Sequence, residues 1–227
     1  MKTPPSETGQ SLPTRMSLKS LYSIIPKFSE EQRKAVIEIG FESLLGLSLS
    51  KCHGQLSRYL VESFDYCKTT IVFENNEKVD ITEDDVFAMY NISRGKLPIV
   101  EVTNDNYTPE YAELLKSWRE RWNIAVGSPI TQKMSEEIIA RRDYRDDFKR
   151  DFVVFVVSSM LKGHQSRMSN YKILYSLMNV NEIRNCNWCL YTLKSLSTSV
   201  EKWKKKPTSF FTGPLTFLLV SNLYLFF

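Results

Sequence analysis

The chain has 227 residues, of which 42% are hydrophobic and 25% charged, and its formal net charge is +4 at neutral pH. This composition is typical of a globular protein and excludes a disordered, fibrous or low-complexity chain. The sequence contains 2 histidines, which argues against catalysis that depends on several of them. The residues alone predict a mainly α-helical globular domain and specify no reaction.

The start of the chain is polar and rich in proline. Because residues 1–20 offer little apolar surface to bury, we expect them to form a disordered leader. The ordered part is expected to begin near Leu21 and to form a single helical domain over residues 21–227. No apolar secretory segment with a cleavage site follows Met1, so we expect an intracellular protein with reduced cysteines.

Two helices are predicted at the beginning of this domain. Ser29 and Gln32 have the spacing of a capping box, and the helix that follows is expected to end at Gly40. The apolar run over 41–49 predicts a further short helical turn. A longer helix is indicated by apolar residues that share one face, namely Leu56, Tyr59, Leu60 and Phe64.

One small β-hairpin is predicted near residues 69–81. Thr69–Phe73 is a β-branched and aromatic run, Asn75 and Asn76 are a turn signal, and Lys78–Ile81 alternates between polar and apolar residues.

Further helices are predicted beyond the hairpin. Thr82 has the character of an N-cap, and the three acidic residues after it favour a helix that ends near Asn91. Residues 99–108 are expected to be a linker. Thr108 and Pro109 then mark a helix start, followed by a buried face of Tyr111, Leu114, Leu115, Trp118 and Trp122.

The last half of the chain alternates between charged and apolar segments. Residues 131–150 carry opposite charges at helical spacing, which predicts a solvated helix face. Asp146 and Asp147 are a candidate acid–base pair, but the neighbouring arginines favour ion pairing over the buried carboxyl that such chemistry needs. The apolar run over 152–161 predicts a buried helix, and residues 187–204 predict an amphipathic one.

Four cysteines stand at Cys52, Cys67, Cys186 and Cys189. The last two have CxxC spacing, but a zinc site needs a second such pair or a spaced histidine pair, which Cys52, His53 and Cys67 do not supply. We therefore expect buried structural cysteines and no metal ligands.

The C-terminal third is mildly basic. Residues 151–227 contain nine basic and three acidic side chains, a net charge of +6. Weak, salt-sensitive contact with nucleic acid is one interpretation. The alternative is that Lys202, Lys204, Lys205 and Lys206 surround the end of the 187–204 helix, where cations suit the helix dipole.

The chain ends in an uncharged apolar stretch over 210–227. Its length, and its position after four lysines, allow a membrane tail anchor. Because Gly213 and Pro214 would shorten the helix, a buried core helix is the favoured interpretation.

Several stretches together resemble one family, the aminotransferase-like plant mobile domain. They are FSEEQRKAV at 28–36, IGFESLL at 39–45, LVESFD at 60–65, ITEDDV at 81–86, ISRG at 92–95, DFKRDFV at 147–153 and NWC at 187–189. The resemblance covers about residues 20–220. In that transposon-related plant family, this region often precedes a Ulp1-type cysteine protease domain, which is absent here. Relatives continue beyond 211–215, so we expect a C-terminally truncated copy.

The resemblance implies a transposon-derived, non-enzymatic interaction or scaffold module in the nucleus or cytoplasm, with an unknown protein partner. It assigns no catalytic, cofactor-binding or metal-binding residue and no cofactor. Pyridoxal phosphate chemistry needs a Schiff-base lysine that the sequence does not single out. A protease would need His53 or His164 in a recognisable signature with a cysteine. An enzyme, or an enzyme remnant, is the alternative hypothesis.

Overall fold

The structure, a computed structural model, describes residues 12–16, 18–46 and 54–219. It is mainly helical, as predicted. The α-helices are α1 (Leu18–Ile24), α2 (Glu30–Glu38), α3 (Gly54–Ser63), α4 (Glu83–Tyr90), α5 (Pro109–Arg121), α6 (Thr131–Arg141), α7 (Asp146–Val156) and α8 (Trp188–Lys205). Short 3-10 helices cover Ile25–Lys27, Glu42–Gly46, Tyr171–Leu177 and Val180–Asn185, and α7 continues into a π-helical turn at Val157–Leu161.

The predicted hairpin is present and is part of a three-stranded antiparallel sheet. The strands are β1 (Phe64–Asp65), β2 (Thr70–Val72) and β3 (Lys78–Asp80), with β2 in the centre. Ile71 pairs with Phe64 on one side and with Val79 on the other. Strand β1 was not predicted, because Phe64 continues the apolar spacing of α3.

The predicted helix starts are confirmed by their capping hydrogen bonds. The Ser29 hydroxyl accepts from the backbone N–H of Gln32, and the Gln32 side chain accepts from the backbone N–H of Ser29. Thr82 and Thr108 cap α4 and α5 through their side chains. Helix α4 ends at Asn91, which adopts a left-handed backbone conformation with a φ of 45°.

Three regions differ from expectation. The turn predicted over 41–49 is a 3-10 helix at Glu42–Gly46, and residues 47–49 lie outside the described part. The charged stretch 131–150 is divided between α6 and α7 by a break at Arg142, whose φ is 52°. In the expected leader, some of the described residues are packed. Leu12 is buried, Thr14 forms a β-bridge with Phe211, and α1 already begins at Leu18.

The core is built around α7 and its π-helical extension. Every residue from Phe152 to Leu161 is buried, which confirms the predicted buried helix. The Phe152 ring lies 5.7 Å from that of Phe28 and 6.3 Å from that of Phe41, and Phe41 in turn lies 5.1 Å from Trp188. Aromatic edge contacts of this kind add to the stabilisation that burial provides. Helices α2, α6 and α7 pack around this cluster.

Candidate functional site

The acidic pair Asp146 and Asp147 lies in the first turn of α7. The Asp147 carboxylate is 3.2 Å from the guanidinium of Arg121 and 3.5 Å from that of Arg150. Asp146 is exposed. The structure thus places Asp147 in ion pairs with arginines, as the charge pattern predicted.

The buried carboxylate of this region is Asp151, one turn further along α7. It is 3% exposed, and it accepts hydrogen bonds from the indole N–H groups of Trp118 at 2.8 Å and Trp122 at 3.2 Å. Arg121 forms an ion pair with it, and Arg141 lies 3.8 Å away. Burial raises the pKa of the Asp151 carboxyl, while Arg121 and the indoles act in the opposite direction. These contacts make Asp151 the polar junction of α5, α6 and α7.

A second polar cluster surrounds Glu101. Its carboxylate pairs with Lys162 Nζ at 2.7 Å and accepts hydrogen bonds from Tyr191 Oη at 2.6 Å and Asn170 Nδ2 at 2.8 Å. Burial opposes ionisation of Glu101, but the Lys162 ammonium and the three hydrogen bonds outweigh it and lower the pKa. Burial also raises the pKa of Tyr191, so its phenol remains a hydrogen-bond donor. Lys162 is thus held in an ion pair and is not a free amine.

The cysteines of the CxxC pair are buried, as predicted. Cys186 contacts the backbone carbonyl of Glu182 at 3.4 Å, and Cys189 contacts that of Ile92 at 3.2 Å. Burial raises the pKa of Cys186 to about 11 and that of Cys189 to about 12. Because the thiolate is the nucleophile, both thiols are poorly reactive at neutral pH. Cys67, by contrast, is exposed, and Cys52 lies outside the described residues.

His164, the histidine that the structure describes, forms its hydrogen bonds with a serine of its own loop. His164 is exposed in the loop after the π-helical turn, where its Nδ1 accepts a hydrogen bond from the backbone N–H of Ser166 at 3.1 Å. His53 lies outside the described residues. Across the part of the chain that the structure describes, no three His, Cys, Asp or Glu side chains are grouped so that they could hold a metal ion.

The lysines near the end of α8 make different contacts. Lys204 Nζ donates to the backbone carbonyls of Glu62 at 2.9 Å and Phe64 at 2.8 Å, at the C-terminal end of α3. Lys205 pairs with Glu201 one turn earlier. Lys204 was expected to lie at the end of its own helix; the structure shows that its ammonium also stabilises the end of another, where unpaired carbonyls accumulate.

The described part of the apolar C-terminal stretch packs against the domain. Leu215, Phe217 and Leu218 are buried, and the Phe217 ring lies 6.1 Å from that of Tyr90. These contacts agree with the favoured core-helix interpretation for residues up to 219, and residues 220–227 lie outside the described part.

None of the helices in the described residues combines the length and the apolar composition that a membrane crossing requires.

The segment 91–108, between α4 and α5, contains no helix or strand apart from isolated bridges. It is nevertheless fixed in place along residues 172–187. The Leu97 N–H donates to Asn185 O at 3.0 Å, the Ser176 hydroxyl bonds both backbone groups of Val100, and the Val102 N–H donates to Lys172 O at 3.0 Å. Three large apolar side chains of this segment are exposed, namely Leu97, Val100 and Tyr107.

A cavity of about 240 Å³ opens at the N-terminus of α6. The loop after the π-helical turn is joined to the start of α6 by two backbone hydrogen bonds, each 3.0 Å long. The Thr131 N–H donates to Arg167 O, and the Ser169 N–H donates to Pro129 O. This loop contributes His164 and Arg167 to the lining.

The N-terminal segment forms another wall of the same cavity and contributes Arg15. It is attached through the backbone N–H of Phe211, which donates to Pro13 O at 2.8 Å, and the Arg15 guanidinium lies 4.0 Å from the centre of the Phe210 ring. Ser159, from the π-helical turn, also lines the cavity.

Sequence reasoning missed Asp151, Glu101 and the cavity. The signal for Asp151 was an acidic residue inside the apolar face of α7, which predicts a buried partner. No comparable signal existed for Glu101, because its partners lie far away in the sequence. The same holds for Ser159, because the cavity that it lines is formed by distant parts of the chain.

Comparisons with known proteins place the chain in one family. No curated protein and no solved structure matches it. The model of one family, described as a domain of unknown function (DUF8566), matches residues 14–219. This range runs from the bridge of Thr14 with Phe211 to residue 219, the last that the structure describes, so that the match spans nearly the whole described fold. The chain therefore belongs to the DUF8566 family.

Proposed function

We propose that the chain is a non-enzymatic protein-interaction module and that the segment 91–108 is its contact surface. The observation that carries this proposal is the combination of a long irregular segment, a fixed backbone and exposed apolar side chains. Structureless connections longer than about 12–15 residues are uncommon in compact domains and usually have a function. This one is held by hydrogen bonds along residues 172–187.

The side chains of the segment have the chemistry of a protein contact. Leu97 and Val100 are each 39% exposed and Tyr107 is 53% exposed. Apolar and aromatic side chains on a backbone that is already ordered can bind a partner with little loss of conformational entropy. Tyr107 is supported from beneath by Tyr111, whose ring lies 5.3 Å away.

The paired charged groups and the buried thiols support a non-enzymatic role. Asp147 and Lys162, which have the chemistry of an acid–base group and a Schiff-base lysine, are each paired with an opposite charge. The thiols of Cys186 and Cys189 have raised pKa values. These groups stabilise the fold through their contacts, and a catalytic role would require several of those contacts to break.

The motif series at 28–36, 39–45, 60–65, 81–86, 92–95, 147–153 and 187–189 supports a more specific proposal. By that resemblance, the module is of the plant mobile domain type, derived from a transposon, and acts in the nucleus or cytoplasm. The motif at 92–95 begins the segment 91–108, which connects the resemblance with the proposed contact surface.

Quantitative cross-linking in plant nuclear extract tests the proposal. The wild-type chain is compared with a variant carrying L97S, V100S and Y107S. The control is V126S, because Val126 is an apolar residue outside the segment and is 84% exposed. We expect the triple variant to lose partners that both the wild type and V126S retain. Equal recovery by all three proteins would contradict the proposal.

The enzyme hypothesis has its own test. Pyridoxal phosphate followed by borohydride reduction would trap a Schiff-base lysine, and a ubiquitin-like vinyl probe would label a protease cysteine. We expect no single lysine to be trapped and neither Cys186 nor Cys189 to be labelled in the folded chain. A stoichiometric adduct at one residue would overturn the non-enzymatic proposal.

A further inference from the structure

The cavity at the N-terminus of α6 has an unusual electrostatic lining. Arg15 and Arg167 both line it, and neither has a carboxylate partner among the described residues. The lining contains no Asp or Glu within the described ranges. Two guanidinium groups without a counter-charge create a positive potential that attracts an anion.

The helix end adds further positive potential. Helix α6 has 11 residues, its N-cap is Ile130, which supplies no side-chain hydrogen bond, and its first turn has no acidic residue. The first backbone N–H groups of a helix have no partner within the helix and point outward. The N–H of Thr131 is used by Arg167 O, and the next residue, Gln132, also lines the cavity. An uncapped helix start of this kind is suited to bind an oxyanion.

An independent observation comes from Ser159. It lines the cavity, is 2% exposed, and its hydroxyl has no hydrogen-bond partner among the described residues. A buried hydroxyl without a partner is costly, so such groups require a specific explanation. A bound oxyanion would accept the missing hydrogen bond.

His164, which also lines the cavity, presents a further hydrogen-bond donor for an oxyanion. Its Nδ1 accepts from the backbone N–H of Ser166, which leaves the proton of a neutral ring on Nε2. The cavity therefore combines guanidinium, imidazole and hydroxyl donors.

We propose that this cavity binds a phosphate group, either as the free ion or as a small phosphomonoester. Arg15 and Arg167 would supply the counter-charge, and Ser159 with the start of α6 would supply the shorter-range donors. The volume of about 240 Å³ lies just below the roughly 300–1,000 Å³ of sites that enclose drug-sized ligands, so a small phosphorylated molecule fits better than a nucleotide cofactor. The site is separate from the segment 91–108, none of whose residues line it.

Isothermal titration calorimetry on the full chain at constant ionic strength tests the proposal. The probes are inorganic phosphate, glycerol 3-phosphate and, as an uncharged control, glycerol. We expect both phosphates to bind and glycerol not to bind. Tighter binding of glycerol 3-phosphate would assign the site to a phosphomonoester, and equal or tighter binding of inorganic phosphate would assign it to the free ion. Failure of both phosphates to bind would overturn the proposal.

Matched variants locate the binding. R167Q and S159A should weaken phosphate binding, R167Q by about tenfold or more because a charge-assisted hydrogen bond is lost. R142Q makes the same charge change at the other end of α6 and should leave the affinity unchanged. S159A should not lower the thermal stability without ligand, which separates a binding role from a structural one. If R142Q and R167Q weakened phosphate binding equally, the effect would be one of net charge, and the assignment of the site to this cavity would be overturned.

Discussion

The Asp151 carboxylate in α7 accepts a hydrogen bond of 2.8 Å from the indole Nε1 of Trp118 in α5. The two residues are separated by 33 positions and both are buried. The contact joins two helices through a charge that also pairs with Arg121. A buried charge of this kind is stabilising only while its partners are present.

Removal of this charge should therefore destabilise the fold strongly. For D151A we expect the free energy of unfolding to fall by about 3–5 kcal/mol, because Arg121 and two indole N–H groups lose their acceptor. E120Q, at an exposed position of α5, should change it by about 0.5 kcal/mol or less. Urea denaturation monitored by tryptophan fluorescence measures both. A loss below about 1 kcal/mol in D151A would show that the junction contributes little.

The Glu101 cluster predicts a pH dependence. Because the pKa of Glu101 is lowered in the folded chain, the stability it contributes is present above its unfolded value of about 4.5 and is lost as the pH falls through the folded pKa. E101Q should be less stable than the wild type at neutral pH, and this difference should shrink below about pH 4.5. Urea denaturation across pH 3–7 measures it. A difference that is constant with pH would exclude this linkage.

Gly95 should be required for the position of the segment 91–108. A Cβ atom there would lie 1.9 Å from the backbone oxygen of Asn185, and a backbone atom cannot move aside as a flexible side chain can. We expect G95A to destabilise the chain by about 1–3 kcal/mol through overpacking. Gly46 is the matched control, because a Cβ there meets no atom of the described residues within 4 Å. Similar melting temperatures for G95A and G46A would contradict this prediction.

Lys204 and Lys205 are neighbours with different expected effects. K204A removes two hydrogen bonds to backbone carbonyls at the end of α3 and should cost about 1–2 kcal/mol. K205A removes an exposed i,i+4 pair with Glu201 and should cost about 0.5 kcal/mol or less. Chemical denaturation distinguishes them, and equal losses would show that the carbonyl contacts of Lys204 are unimportant.

The same lysines also test whether the chain binds nucleic acid through its basic C-terminal third. We expect weak duplex DNA binding that falls steeply with salt, as nonspecific phosphate contacts do. The affinity for duplex DNA should barely change in a triple variant with K204A, K205A and K206A, since Lys204 and Lys205 already have partners within the chain. Fluorescence anisotropy measures the affinity, and tight, sequence-selective binding lost in the triple variant would contradict this expectation.

Local signals in the sequence predicted much of the fold. The caps at Ser29, Thr82 and Thr108 each depend on residues three positions apart. The hairpin depends on one turn. The caps and the hairpin could therefore be identified from short stretches of sequence. The short strand β1 was missed because two residues that follow a helix carry no pattern of their own.

The polar clusters and the cavity could not be predicted in this way. Glu101 meets Lys162, Asn170 and Tyr191 across separations of 61 to 90 residues. The cavity is formed where the N-terminal segment, the start of α6 and the loop after Leu161 meet. Such contacts depend on how the helices pack, and no single stretch of sequence specifies that packing.

Hydrogen–deuterium exchange on the full chain, with and without a partner recovered by cross-linking, tests the interaction proposal most directly. We expect the partner to slow exchange in residues 91–108 and to leave exchange in the loop around Val126 unchanged. L97S, V100S and Y107S together should abolish that protection. Protection confined to other surfaces, with residues 91–108 exchanging as in the free chain, would contradict the proposed contact surface.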